Sequence, residues 1–225
     1  MSAGSAEQIR LLLEALAAEA HPPTTVASPE EALEVHVADS LSGLEVGPPL
    51  TRARRIADVG AGAGFPGLAL AIALPGANLD LIESAGRKAA VISRLAQAAS
   101  IENARSVTAR AEEWAGTPAA LGGGGGAYDA VTARAVAALP VLVEYAAPLL
   151  RMDGVLVAWK GARSREEEAS GAAAAALLGL AAEDTLRVEP FEGARERHLH
   201  VFRKISPTPE RFPRRPGMAA KRPVA

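Results

Sequence analysis

Apolar residues Ile9, Leu12, Leu13 and Leu16 recur at spacings of three and four within residues 6–20, the period of an amphipathic helix. His21-Pro22-Pro23 then ends it, because proline removes a backbone donor and blocks the preceding turn. Ser28-Pro29-Glu30-Glu31 carries an N-cap, a first-turn proline and a capping-box glutamate, and predicts a second helix to about residue 41. Beyond Arg55 the period changes. Short apolar runs at 55–59, 79–83, 105–109, 127–132 and 154–160 read as strands, alternating with helical stretches at 67–73, 86–99, 111–121 and 139–150. That alternation argues for a parallel sheet built from right-handed crossovers. An alanine-rich helix at 164–180 is followed by alternating segments at 185–191 and 198–203, separated by Glu192-Gly193-Ala194, which predict a hairpin closing the sheet. The run from Gly122 to Gly126 is expected to be a flexible connection. The predicted architecture is α/β and Rossmann-like: a seven-stranded, mostly parallel sheet with a terminal β-hairpin and an N-terminal helical cap. Its expected divisions are a cap over 1–45, a main domain over 46–204 and a basic, proline-rich tail over 205–225.

With 225 residues, 49% of them hydrophobic, the chain can bury one sizeable core. It has no cysteine, so disulfides, thiolate nucleophiles and cysteine-based zinc sites are excluded. No apolar stretch approaches the roughly 20 residues that span a bilayer, and the first residues lack the pattern of a secretory leader. A soluble, cytoplasmic chain is expected. The net charge of -2 hides an asymmetry: from Arg195 onward nine Lys/Arg face only Glu196 and Glu210. Such an end suits either contact with a polyanion or simple solvation.

The most specific local signal is Ile56-Ala57-Asp58-Val59-Gly60-Ala61-Gly62-Ala63-Gly64-Phe65-Pro66-Gly67, a strand entering a glycine-dense turn that opens a helix. Glycine suits a backbone that must turn tightly and let a ligand approach closely. The pattern also satisfies a dinucleotide fingerprint, so the acids beside it matter. Asp58 would organise the loop and attract the ammonium of a methionine moiety, whereas it would repel a pyrophosphate. Glu83, ending the next strand, is placed to accept from both ribose hydroxyls of an adenosine. These features favour S-adenosyl-L-methionine over NAD, and the fold becomes that of a class I methyltransferase. After the third strand, Glu112 and Glu113 either border an adenine pocket or answer the helix dipole.

Five motifs stand in order: His36-Val37-Ala38-Asp39-Ser40-Leu41, then Asp58 to Gly67, Tyr128-Asp129-Ala130-Val131-Thr132-Ala133-Arg134-Ala135, Trp159-Lys160-Gly161 and Glu196-Arg197-His198-Leu199. Together with the terminal stretch from Phe212 to Pro223 they closely resemble the RsmG (GidB) family, which methylates N7 of a guanine in 16S ribosomal RNA. The resemblance spans about Val35 to Pro223. It departs at His21-Pro22-Pro23-Thr24-Thr25-Val26, where such proteins carry an aromatic-rich stretch ending in Asn-Leu-Thr. It implies that Gly60 and Phe65 contact the cofactor and that Glu83 and Ser84 hold the ribose, with Asp58, Ala61, Gly62 and Gly64 the remaining cofactor-binding candidates at the loop. Ala111 and Glu112 would border the adenine, and Arg134 would lie at the cofactor or acceptor site. The implied acceptor is guanine-527, in naked 16S rRNA, in the small ribosomal subunit or in an assembly intermediate; a monomer is expected.

Guanine N7 presents an unprotonated lone pair, so no general base is expected. Arg134 and Lys160 are instead candidate positioning residues, able to donate to guanine O6 or to phosphates. His36, Asp39, Arg197, His198, Arg211, Arg214, Arg215, Lys221 and Arg222 are the candidate RNA contacts, and the tail, spaced by prolines, is expected to be too polar to bury. His36 and Asp39 share a helix face but offer too few ligands for a metal. Trp159 reads as a stacking platform or, more ordinarily, as a buried strand residue. A non-catalytic RNA-binding module and a methyltransferase with another acceptor remain the alternatives.

Overall fold

A computed structural model describes residues 3–26 and 28–225. The chain opens with α1 (Ala3–Ala18), followed by a nearly continuous helical path: α2 (Pro29–Ala32), a π-helical turn (Leu33–Ala38), α3 (Asp39–Leu41), a 3-10 turn (Ser42–Val46) and α4 (Pro48–Thr51). The Ser28 hydroxyl accepts from Glu31 N at 3.1 Å, as the capping pattern predicts. The expected single helix to residue 41 is thus interrupted by a π turn, a feature that frequently marks functional positions.

Next come β1 (Arg55–Val59), α5 (Gly67–Ala73), β2 (Asn78–Glu83), α6 (Gly86–Ala98), β3 (Ala104–Thr108), α7 (Ala111–Gly116), a 3-10 turn (Ala119–Leu121), β4 (Tyr128–Arg134), α8 (Leu139–Ala146) and β5 (Leu150–Lys160). The chain finishes with α9 (Arg165–Leu178), β6 (Leu180–Ala182), β7 (Leu186–Val188), β8 (Arg197–Lys204) and α10 (Met218–Lys221). The sheet order is β3-β2-β1-β4-β5-β8-β6, with β7 also paired to β8. β1 to β5 pair in parallel, while β8 is antiparallel to β5, β6 and β7.

Eight strands occupy seven positions, and β6 is one that the pattern misses, because Leu180 reads as the end of the alanine-rich helix. β6 and β7 lie end to end on β8, where Ala182 faces Phe202 and Leu186 faces Leu199, so four steps on one strand oppose three on the other. That extra residue is a bulge, and it splits one strand in two.

Each side of the sheet is covered by helices. Ile56, Leu79 and Leu81 face a cluster with Leu12 of α1, Leu68 of α5 and Ile92 of α6. Ala57, Val59 and Val131 face Leu139 and Val143 of α8 and Leu178 of α9. This two-sided burial explains why the central strands are almost continuously apolar.

The glycine run does not behave as a flexible connection. Gly123, Gly124 and Gly125 donate to Pro118 O, Trp114 O and Thr117 O at 3.1, 2.9 and 3.0 Å. A Cβ on Gly123 would stand 2.1 Å from Thr117 O, and one on Gly124 would stand 2.3 Å from the Trp114 indole nitrogen. Gly123, Gly124 and Gly125 are there because the turn is packed against α7 and the residue after it, leaving no room for side chains, whereas Gly122 and Gly126 face open space and serve the left-handed backbone, at φ +86° and +64°.

Candidate active site

At the carboxyl end of β1 the backbone enters positive φ three times, at Gly60 (+69°), Gly62 (+57°) and Gly64 (+94°). A Cβ on Gly60 would approach Val136 Cγ2 to 2.7 Å, and one on Gly64 would approach Leu68 Cδ1 to 2.6 Å. Both conformation and space therefore call for glycine. Asp58 sits beneath the loop, accepting from Gly67 N at 3.0 Å and Thr132 Oγ1 at 2.9 Å. Burial pushes its carboxyl up to about 7, against the pull of those two hydrogen bonds and of the Arg134 charge. The side chain is wholly buried, which corrects the expectation that it meets a ligand's ammonium; its task is to hold the turn.

Glu83 closes the other side. One oxygen accepts from Gly62 N at 3.0 Å and the other from Ala85 N at 2.8 Å. A carboxylate offers about four lone-pair directions, so two are left for a diol. Ala61 and Phe65 are buried in the loop, and Ser84 is exposed beside Glu83. A fixed acceptor next to a glycine-rich loop at the strand ends fits the ribose and the amino-acid moiety of S-adenosylmethionine.

The paired glutamates of α7 divide their work. Glu113 accepts from Arg110 N at 3.2 Å and caps the helix. Glu112, next to the buried Ala111, is itself buried and accepts from Gly217 N at 2.8 Å, tying the C-terminal segment to this side of the loop.

Against the expectation of an unburied tail, Phe212 and Ala219 are buried. The Arg214 guanidinium forms a fork with Glu144, at 2.6 and 2.5 Å, and Glu144 is almost wholly buried. A proline-rich basic segment becomes dockable because the main domain supplies buried carboxylates. Arg211, Arg215, Lys221 and Arg222 stay exposed.

A cleft of about 510 Å³ opens beyond β4 and β5, lined by His36, Asp39, Arg134, Val136, Lys160 and Arg197 among others. Val136 is also the residue that abuts Gly60, so the loop and the cleft share a wall. Arg134 clasps the N-terminal helices to β4: its NH1 donates to Val35 O at 2.9 Å and to Asp39 Oδ2 at 2.7 Å, and its NH2 meets His36 Nδ1 at 3.2 Å.

A guanidinium only donates, so His36 Nδ1 accepts and the ring proton sits on Nε2, donating to Thr24 Oγ1 at 2.8 Å. Burial and the Arg134 charge hold the imidazole down at about 4, so it is neutral at physiological pH. Its ring stacks on Phe65, with centroids 4.8 Å apart, linking cap and glycine loop.

Lys160 pairs with Glu167 at 2.6 Å and donates to Ala137 O at 3.3 Å. His198, expected as an RNA contact, is buried between β5 and β7 and meets Gly161 O through Nδ1 at 2.9 Å. Trp159 is buried, its indole donating to Asp39 O at 2.8 Å, although its surface also lines the cleft.

The fold thus brings His36, Asp39, Arg134, Lys160 and Arg197 together and leaves Arg211, Arg215, Lys221 and Arg222 on the docked tail. Sequence reasoning missed Val136, Thr132 and Glu144. Thr132 carried no local signal, because it meets Asp58 only through the β1–β4 register, 74 residues away in sequence.

Residues 7–199 match the family model described as rRNA small subunit methyltransferase G. The chain is 43% identical over 199 residues to Ribosomal RNA small subunit methyltransferase G of Rubrobacter xylanophilus, covering 87% of this chain and 74% of that protein. It is 39% identical over 202 residues to the protein of the same name from Pelotomaculum thermopropionicum, covering 89% and 82%. Among solved structures, a mutant of MtNAS in complex with S-adenosylmethionine aligns with a TM-score of 0.57 at 12% identity, over 90% of this chain and 74% of that one. The 1,6-didemethyltoxoflavin-N1-methyltransferase of Burkholderia thailandensis, with bound S-adenosylhomocysteine, aligns at 0.55 and 16% identity, over 79% and 82%. These structural likenesses establish the fold.

Proposed function

The chain belongs to the rRNA small subunit methyltransferase G family, and from that membership and the site geometry we propose that it methylates N7 of a guanine in 16S ribosomal RNA, guanine-527. The observation that carries the proposal is the shared wall at Val136, which sets a basic cleft directly beside a glycine loop suited to S-adenosylmethionine.

When bound, S-adenosylmethionine supplies an electrophilic sulfonium methyl. Glu83 would hold the ribose, with Ser84 beside it; the Gly60–Gly64 backbone would pass along the amino-acid portion, and Ala111 and Glu112 would border the adenine. The chain has to orient the acceptor base rather than deprotonate it, because N7 carries no proton at neutral pH. Bringing reacting atoms to about 3–3.5 Å in line is worth several orders of magnitude in rate. Arg134 contributes by fixing the cap against β4, while Lys160 and Arg197 give the cleft the positive charge that a phosphate-bearing acceptor requires. No helix among the described residues is long and apolar enough to cross a membrane. We place the reaction in the cytoplasm, with a monomer acting on naked RNA, the small subunit or its assembly intermediate.

The test is transfer of labelled methyl from S-adenosylmethionine to unmodified small subunits and to naked 16S rRNA. Wild type should label at least one of the two. Glu83→Gln, which can accept from only one of Gly62 N and Ala85 N, should lower cofactor affinity at least tenfold by calorimetry and cost about 1–3 kcal/mol of stability while leaving the fold intact. Cofactor binding without transfer would move the assignment to another acceptor, and absence of both would favour an RNA-binding module.

A further inference from the structure

The cleft wall contains an acceptor with nothing to accept. Asp39 Oδ1 is buried and has no hydrogen-bond partner, one of two such side-chain atoms among the described residues. The other carboxylate oxygen takes Arg134. Arg197 Nε stands 3.7 Å from Oδ1, near enough to offset charge but too far to hydrogen-bond, and its side chain is 40% exposed. Asp39 is otherwise fixed: its carbonyl accepts from the Trp159 indole at 2.8 Å and from Ser42 Oγ at 2.7 Å. A rigidly held, partly satisfied carboxylate lining a cleft is costly unless a ligand completes it.

The chemistry of the acceptor base indicates which ligand. Adenine and guanine both carry a lone pair at N7, so reaction at that atom does not tell them apart. They differ at position 6, where guanine carries a carbonyl and adenine an amine, and on the far edge of the ring, where guanine presents N1–H and an N2 amine as donors and adenine presents a bare N1 acceptor and C–H at position 2. A fixed carboxylate oxygen welcomes the first edge and faces an unpaired lone pair on the second. Sites built around such a polar contact discriminate far more sharply than apolar pockets do.

We propose that Asp39 is the guanine-selecting residue, its Oδ1 accepting from the N1–H/N2–H edge of the base held in the cleft while Arg197 swings aside. This rests on the N7-methylation reading above and adds to it the origin of base choice.

The experiment uses the full chain and 16S rRNA carrying guanine, inosine or adenine at the methylated position, with kcat/KM for labelled methyl transfer measured for wild type and Asp39→Asn. Wild type should prefer guanine over adenine by at least 100-fold, with inosine, which keeps N1–H, between them. In Asp39→Asn the amide can still accept from Arg134 while turning its NH2 toward the base. Transfer to guanine should then fall at least 100-fold, and the guanine-to-adenine ratio should collapse by a similar factor while cofactor affinity is kept.

A uniform loss on all three RNAs, with the ratio unchanged, would make Asp39 structural and overturn the assignment alone. Wild type that methylates adenine as readily as guanine overturns it without any variant. Wild type that transfers to no RNA overturns the methyl-transfer reading, and this assignment with it.

Discussion

Acid should loosen the clasp between the N-terminal helices and the sheet through one residue, His36. Its Nδ1 accepts from Arg134 and its Nε2–H donates to Thr24, so a second proton would have to sit on the nitrogen that faces a guanidinium. Burial reinforces this, and Asp39 and Glu31 oppose it only in part, leaving the group at about 4 instead of 6.5. The sign follows from linkage. Above pH 6.5 the ring is neutral in folded and unfolded chains, and the contact contributes in full. Between 6.5 and about 4 only the unfolded chain takes up the proton, so stability falls as pH falls. At 1.36 kcal/mol per pH unit the loss is about 2 kcal/mol by pH 5 and reaches a ceiling of about 3 kcal/mol. For a chain of this size the His36 contribution alone corresponds to about 4–8 °C in melting temperature at pH 5, with the raised Asp58 carboxyl acting in the opposite direction in wild type and in any His36 variant alike. Thermal unfolding of wild type and His36→Gln should be followed from pH 8 to 4.5. The glutamine can accept from Arg134 without titrating, so the stability gap between the two proteins should shrink or reverse on acidification. A gap independent of pH would refute the reasoning, whatever the shape of each separate curve.

Arg214→Ala should strand the buried Glu144 and cost about 3 kcal/mol or more in urea denaturation; adding Glu144→Gln should recover part of it, and full stability in the single variant would contradict a docked tail. Gly60→Ala combines left-handed strain of about 1–2 kcal/mol with a clash against Val136, so Val136→Ala should rescue the steric part only, as read by melting temperature and cofactor affinity. Replacing Arg211, Arg215 and Lys221 together with glutamine should flatten the salt dependence of RNA binding by about 0.7 per lost phosphate contact, about 2 in all, and leave cofactor binding unchanged. An unchanged slope would show that the exposed tail charges do not meet phosphate.

What was legible in the sequence is what depends on periodicity and local backbone demand. The strand-and-helix alternation after Arg55, the N-cap at Ser28 and the glycine loop between Val59 and Gly67 are each written in adjacent residues; the structure has the N-cap and the loop where the pattern does, while β5 begins at Leu150 and β6 at Leu180, each at the end of a stretch read as helix. What was hidden depends on partners distant in sequence. Glu144 and Arg214 lie 70 residues apart, and Glu112 and Gly217 lie 105 apart, so nothing local marked the tail as dockable. The turn from Gly122 to Gly126 was misjudged for the same reason: Gly123, Gly124 and Gly125, chosen for lack of space, look in sequence identical to glycine chosen for freedom. Asp58 was correctly placed at the loop, but its complete burial follows from Thr132 across the β1–β4 register.

The account turns on the atom that receives the methyl group. Unmodified small subunits or naked 16S rRNA treated with the enzyme and S-adenosylmethionine should be reduced with borohydride and cleaved with aniline, which breaks the chain at 7-methylguanine. One enzyme-dependent cleavage, at guanine-527, is the result predicted here. Labelled RNA that resists this cleavage would place the methyl on another atom, and cleavage at many guanines would contradict a cleft that selects and orients a single base.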